Sequence, residues 1–170
     1  MFPQVPLIIC GSYSEKSQAS FDMDASLYED SKGIDESSDK TFYCPFPSSK
    51  INEEEVNIYS YIIASLLESI EELTPKQTLL ITSPKGVTRS PSMGIILRAA
   101  MYDQDVDLAV ASQIAQRPQA LPSLTIISIG DYILKLKGEL YQSCKEYLST
   151  GLAVSSNGES FYYDPTGGSE

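Results

Sequence analysis

The chain has 170 residues, 42% of them apolar, and a formal net charge of −11 at neutral pH; this is material for one domain with a single buried core. Such an acidic balance argues against nucleic acid or an anionic membrane as a partner, because both need clustered Lys and Arg. The sequence contains no histidine, which excludes Ser-His-Asp and Cys-His nucleophile activation and any His-ligated metal site.

Gln4 to Cys10 is a short apolar run closed by Gly11 and Ser12, too short for a helix, and it predicts a first buried strand. Glu15 to Lys40 is rich in Asp, Glu and Ser and reads as a solvated acidic loop, interrupted by a short strand at Ala25 to Tyr28. Thr41 to Phe46 alternates and carries aromatics, which predicts a third strand stopped by Pro45 and Pro47. Asn52 and Glu55 have the spacing of a capping box. Val56, Tyr59, Ile63, Leu66, Leu67 and Ile70 follow at helical spacing until Thr74-Pro75 ends the pattern.

Gln77 to Thr82 predicts a strand. Pro91 sits early in a helix running to about Tyr102, where its missing N–H is tolerated. Asp105 is placed to cap a helix through Gln116, Ser123 another through about Leu136, and Leu140, Cys144, Tyr147 and Leu148 mark a last one. Beyond residue 150, Ser156-Asn157-Gly158-Glu159 between short apolar runs signals a hairpin, and Pro165 to Glu170 a frayed end. The domain is therefore expected at 1–150, with 151–170 as a hairpin or flexible tail.

Cys10, Cys44 and Cys144 are widely spaced and odd in number, which suits reduced buried thiols rather than a disulfide framework or zinc site. With no apolar stretch of membrane-spanning length and no basic-then-apolar leader, the reading is a cytoplasmic protein. Cys10, at the end of a parallel strand, is also a position from which a side chain could face a ligand crevice.

The segment from Thr78 to Ser92, TLLITSPKGVTRSPS, resembles the signature of the protein tyrosine and dual-specificity phosphatases. There a strand ends in His-Cys, five residues follow, and Arg-Ser opens a helix. Ser83 stands at the cysteine position, Thr82 at the histidine position, Gly86 at the loop glycine, Arg89 at the phosphate-binding arginine and Ser90 at the following hydroxyl. Arg117-Pro118, Pro122 and the amphipathic run after it also look like this family, and Asp131 to Leu140 is similar to a bacterial branch of predicted tyrosine phosphatases. The resemblance spans about Val5 to Tyr147. It implies an α/β fold in three layers, a mostly parallel sheet of about four or five strands flanked by helices.

It further implies a phosphate-binding set of Ser83, Pro84, Lys85, Gly86, Val87, Thr88, Arg89 and Ser90. A loop between strand end and helix start aims backbone N–H groups at one point, the helix dipole reinforces them, and Arg89 adds a planar fork of donors. The family's chemistry needs a thiolate, whereas the Ser83 hydroxyl stays protonated and needs a base. The family's aspartate acid follows a phenylalanine in the bacterial branch, but Phe46 is followed here by Pro47, Ser48, Ser49 and Lys50. Asp22, Asp24 and Asp30 are the carboxylates left that could reach the crevice.

Loss of nucleophile, histidine and acid together fits a naturally non-catalytic relative better than a single Cys-to-Ser change. The expectation is a phosphatase-like binding or regulatory protein that holds phosphate, sulfate or a phosphorylated ligand, with a protein partner permitted and no cofactor implied. Two other readings stand beside it. One is a true phosphatase using unconventional groups. The other is a scaffold in which Lys85, or an acidic residue paired with Arg89, fills the old loop, so that Ser83 to Ser90 is an ordinary strand-to-helix connection.

Overall fold

The computed structural model describes residues 4–30, 36–47 and 50–150. Its strands are β1 (Leu7–Ser12), β2 (Met23–Tyr28), β3 (Lys40–Tyr43) and β4 (Thr78–Ser83), and its helices α1 (Glu53–Glu72), α2 (Arg89–Met101), α3 (Val106–Gln116), α4 (Leu124–Ile133) and α5 (Glu139–Ser149). A short 3-10 helix, Tyr13–Gln18, follows β1. The strands form one sheet in the order β1-β4-β2-β3, and every neighbouring pair is parallel. All carboxyl ends therefore lie along one edge, which brings Ser12, Tyr28, Tyr43 and Ser83 to the same side of the domain.

Side chains alternate across a strand. Ile8, Cys10, Ala25, Leu27, Phe42, Leu79 and Ile81 belong to the main core. They share it with Tyr59, Ile62, Ile63 and Leu66 of α1, Met93, Ile95 and Ile96 of α2, and Ile126 and Ile127 of α4. Helix α2 is buried from Arg89 to Ala99 and packs on β1, β4, α1, α3 and α4, so apolar side chains occur all round it, as in any helix without a solvent face. Each fully buried Ile, Leu or Met contributes roughly 1.5–3 kcal/mol.

Asp24 and Ser26 alternate with Ala25 and Leu27 and point to the opposite face. There the 3-10 helix forms a thin third layer, with Lys16 Nζ 2.6 Å from Asp24 Oδ2 and 2.8 Å from Ser38 Oγ. The expected layers are present, but they are unequal in thickness.

Helix starts are set by local hydrogen bonds. Asn52 Oδ1 accepts from Glu55 N while Glu55 accepts from Asn52 N. Asp105 and Ser123 accept from Leu108 N and Ile126 N respectively. The differences from the sequence expectation are equally physical. Gly11 and Ser12 do not close β1, because they continue its pairing with Thr82 and Ser83. Strand β3 ends at Tyr43, although Cys44 N still donates to Tyr28 O. The acidic segment is not simply a loop, since Tyr13–Gln18 is a 3-10 helix and β2 begins at Met23. Helix α4 stops at Ile133 because Lys135 and Lys137 adopt left-handed backbone at φ 58° and 56°. The hairpin and tail expected for 151–170 lie outside the described residues. Among the described residues, no helix is long and apolar enough to cross a membrane.

Candidate functional site

Strand β4 delivers Ser83 to the carboxyl edge of the sheet, and α2 begins six residues later at Arg89. The connection is tight enough that Gly86, at φ +64°, lies directly on the end of β1: a Cβ there would sit 2.3 Å from Ser12 N and 2.4 Å from Gly11 C. No other residue type meets both conditions without displacement. The loop is held from the other side as well. Leu121 N donates to Val87 O (2.8 Å), Ser92 Oγ donates to Thr88 O (2.6 Å), and Ser123 N donates to Ser92 Oγ (2.8 Å). The Pro122 region thus braces the loop.

Ser83 is 2% exposed. Its hydroxyl donates to Ser90 Oγ at 3.1 Å, and Ser90 Oγ donates to Gly11 O at 3.2 Å. Thr82, also buried, lies 3.3 Å from Ser26 Oγ. Among the described residues, the backbone N–H groups of Lys85, Gly86, Val87, Thr88 and Arg89 have no hydrogen-bond acceptor. Lys85 is exposed, whereas Pro84, Val87 and Thr88 are half-buried.

Arg89 is 6% exposed. One guanidinium nitrogen donates to Cys44 O (2.8 Å) and another to Glu29 Oε2 (2.6 Å), while the Phe46 ring centroid lies 5.4 Å from the guanidinium carbon. A guanidinium carries five N–H donors, so these two bonds leave capacity for an oxyanion. Phe46 is held near the site because Tyr59 Oη of α1 donates to Pro45 O.

Glu29 went unrecognised in the sequence. It lies 60 residues from Arg89, and only the adjacency of β2 and β4 brings the two together. Two of the other carboxylates lie elsewhere: Asp22 accepts from Thr78 N at the opposite, amino end of the sheet, and Asp24 is paired with Lys16 on the far face. Asp30 directly follows Glu29 just past β2, at the same edge of the sheet as the loop, and is exposed. Ser48 and Ser49 lie outside the described residues.

A second ion pair braces the rim. Arg117 grips both Glu15 oxygens, at 2.9 and 3.1 Å, and Glu15 accepts from Ser12 N and Ser12 Oγ. The Arg117 hydrogen bond leads the causes that hold Glu15 down at about 2. The cysteines are core residues. Burial pushes the Cys10 thiol up to about 11 against the opposing pull of Arg98 and Cys44 up to about 12, so neither is a thiolate at neutral pH. Cys10 faces Gly94 and Arg98 inside the protein rather than a crevice.

No family model matches the sequence, and no curated protein matches it. Solved structures do match in fold. Human DUSP28 superposes with a TM-score of 0.54 over 88% of this chain and 99% of its own, at 13% identity. The human tyrosine phosphatase-like serine/threonine/tyrosine-interacting protein gives 0.57 over 81% and 97%, also at 13% identity. A leucine rich repeat and phosphatase domain containing protein from Entamoeba histolytica gives 0.52 over 81% and 95%, at 14% identity. The chain has a protein tyrosine phosphatase-like fold. At these identities the likeness settles the phosphatase-like architecture, and the chemistry must be argued from the residues themselves.

Proposed function

We propose that this phosphatase-like chain is a non-catalytic relative that holds phosphate, sulfate or a phosphorylated ligand on the Ser83 to Ser90 loop without hydrolysing it. The observation that carries the reading is the hydroxyl chain from Ser83 to Ser90 to Gly11 O. It ends on a carbonyl oxygen, which cannot take up a proton, so the Ser83 hydroxyl has no base to activate it. With no histidine in the chain, a neutral-pH base would have to be a carboxylate. Glu29, the carboxylate that contacts the loop's arginine, is committed to Arg89.

Anion binding needs none of this activation. Backbone N–H groups at a helix start, with the positive end of the helix dipole behind them, favour a tetrahedral oxyanion. Within the phosphatases, the run from Asp131 to Leu140 favours the bacterial branch, and three buried free thiols suit a reducing, cytoplasmic setting.

A second reading is favoured by the Glu29–Arg89 pair itself: a scaffold whose arginine is neutralised internally and whose loop binds no anion. Calorimetric titration with inorganic phosphate separates the two, since the scaffold gives no heat of binding. Catalysis is tested with para-nitrophenyl phosphate on the wild type, Ser83→Ala and Ser83→Cys. The wild type and Ser83→Ala are expected to be equally inert. Ser83→Cys is expected to show at most a trace, and that mainly on substrates with good leaving groups such as this one, because leaving-group protonation worth about 10²- to 10⁴-fold is still missing. Wild-type turnover that Ser83→Ala abolishes would sink the non-catalytic reading.

A further inference from the structure

On the other side of the helical layer, α4 and α5 are joined by a turn that holds two lysines in an unusual conformation. Lys135 and Lys137 both have left-handed backbone, a state that costs an L-residue about 1–2 kcal/mol. Gly138 completes the turn at φ +90°. The buried Asp131 carboxylate fixes this geometry by accepting from Gly138 N (2.7 Å), Leu140 N (2.8 Å) and Tyr141 N (3.1 Å). Leu136, between the lysines, is buried, and its N–H donates to Asp131 O. Backbone strain of this kind persists only where the surroundings enforce it, and it concentrates at functional places.

The turn forms one wall of an open groove of about 510 Å³ lined by Tyr132, Lys135, Lys137, Gly138 and Tyr141 among others. Its surface is mainly apolar. Tyr132 is 84% exposed, and its placement contributes little to folding. Lys145 Nζ lies 5.9 Å from the Tyr141 ring centroid, adding a third ammonium beside the groove. Asp131 also lines the groove, with its oxygens turned to backbone donors, and Glu139 stands at the start of α5. In a chain of net charge −11, a lining that carries two ammonium groups against one carboxylate around an aromatic floor is locally more basic than the rest.

We propose that this groove is a docking site for an acidic peptide segment of a partner protein, with an aromatic or aliphatic side chain seated between Tyr132 and Tyr141 and flanking carboxylates on Lys135 and Lys137. Charge complementarity selects the acidic class. The apolar lining selects a segment with an anchor residue over a simple anion. The groove's volume lies within the usual 300–1,000 Å³ range of binding pockets. Tyrosines supply rigid contact area at interfaces, and a turn already clamped by Asp131 loses little freedom on binding. The site is independent of the phosphate-like loop, which lies at the carboxyl edge of the sheet.

The test uses the ¹⁵N-labelled full chain, titrated with a pool of eight-residue peptides in which Phe, Tyr or Leu is flanked by Asp and Glu. The same pool with Lys and Arg flanks is the control. Amide shifts are expected at Tyr132, Lys135, Lys137, Gly138 and Tyr141 with the acidic pool only. They should weaken with added salt, since screening acts within about 10 Å at 0.1 M. Lys135→Glu with Lys137→Glu should weaken binding roughly tenfold or more, and Tyr132→Ala should weaken it without altering the fold, because the ring is exposed. Arg89→Ala should leave it unchanged. The proposal is overturned if millimolar acidic pool moves none of these amides, if the lysine variant binds the acidic pool as tightly as the wild type, or if the shifts map to residues 85–89. Concentration-dependent self-association of the free chain that Tyr132→Ala abolishes would assign the groove to a second copy and overturn it too.

Discussion

Replacing Gly86 by alanine tests whether the loop geometry depends on the close approach between Ser83–Arg89 and the end of β1. Two costs act together. The left-handed φ of +64° costs an L-residue about 1–2 kcal/mol. The new methyl would then overlap backbone atoms of Ser12 and Gly11 at 2.3 and 2.4 Å respectively, and backbone cannot swing aside as a side-chain tip can, so about 1–3 kcal/mol is added as overpacking strain. Loss of glycine's freedom in the unfolded chain offsets about 0.4–1 kcal/mol. A net destabilisation near 3 kcal/mol is expected, a fall in Tm of roughly 6–12 °C for a domain of this size.

Gly138→Ala is the internal control. Its φ is +90°, but nothing lies within 4 Å of a Cβ there, so it carries the conformational cost alone, about 1 kcal/mol. Urea unfolding of wild type and both variants, followed by circular dichroism, gives the comparison. Equal losses for the two variants would refute the steric argument, and a Gly86→Ala protein as stable as wild type would refute the loop geometry altogether.

Arg89→Ala should weaken phosphate binding by about tenfold or more, since each charged hydrogen bond carries about 1.5–3 kcal/mol, while Lys85→Ala, at an exposed position, should cost less than about fivefold; equal losses by calorimetry would mean that the fork is not engaged. Glu15 has a folded pKa lowered from 4.5 to about 2, so its contribution is complete above about 4.5 and is lost as the pH falls towards 2. Because the side chain is half-exposed, that contribution is at most about 1 kcal/mol, and acid titration of stability should show a step in wild type that Glu15→Gln lacks. Asp131→Ala strands the N–H groups of Gly138, Leu140 and Tyr141 and should cost about 3–5 kcal/mol in chemical denaturation; a loss below 1 kcal/mol would show that water replaces the carboxylate.

The parts legible in the sequence are those whose physics is local. Asn52 with Glu55, Asp105 and Ser123 start helices because a side-chain oxygen meets an N–H three residues on, and that spacing is visible without a fold. The run from Thr78 to Met101 is likewise a strand, a glycine turn and a helix in direct succession, so the loop and its arginine could be named. The places where local reading failed are just as informative. Gly11 looked like a stop until β4 offered it a ladder partner, and the acidic segment looked solvated until Asp24 met Lys16 on the far face of the sheet.

What only the tertiary structure decided is who meets whom across the sheet. Its strand order places β2 beside β4 and β1 on the other side. Glu29 consequently reaches Arg89 from 60 residues away, Gly86 rests on Ser12, and the Ser83 hydroxyl ends its hydrogen-bond chain on Gly11 O. Each of these contacts joins the ends of parallel strands separated by long crossovers. Spacing along the chain carries no information about such meetings, because the crossover length does not set which strand becomes the neighbour.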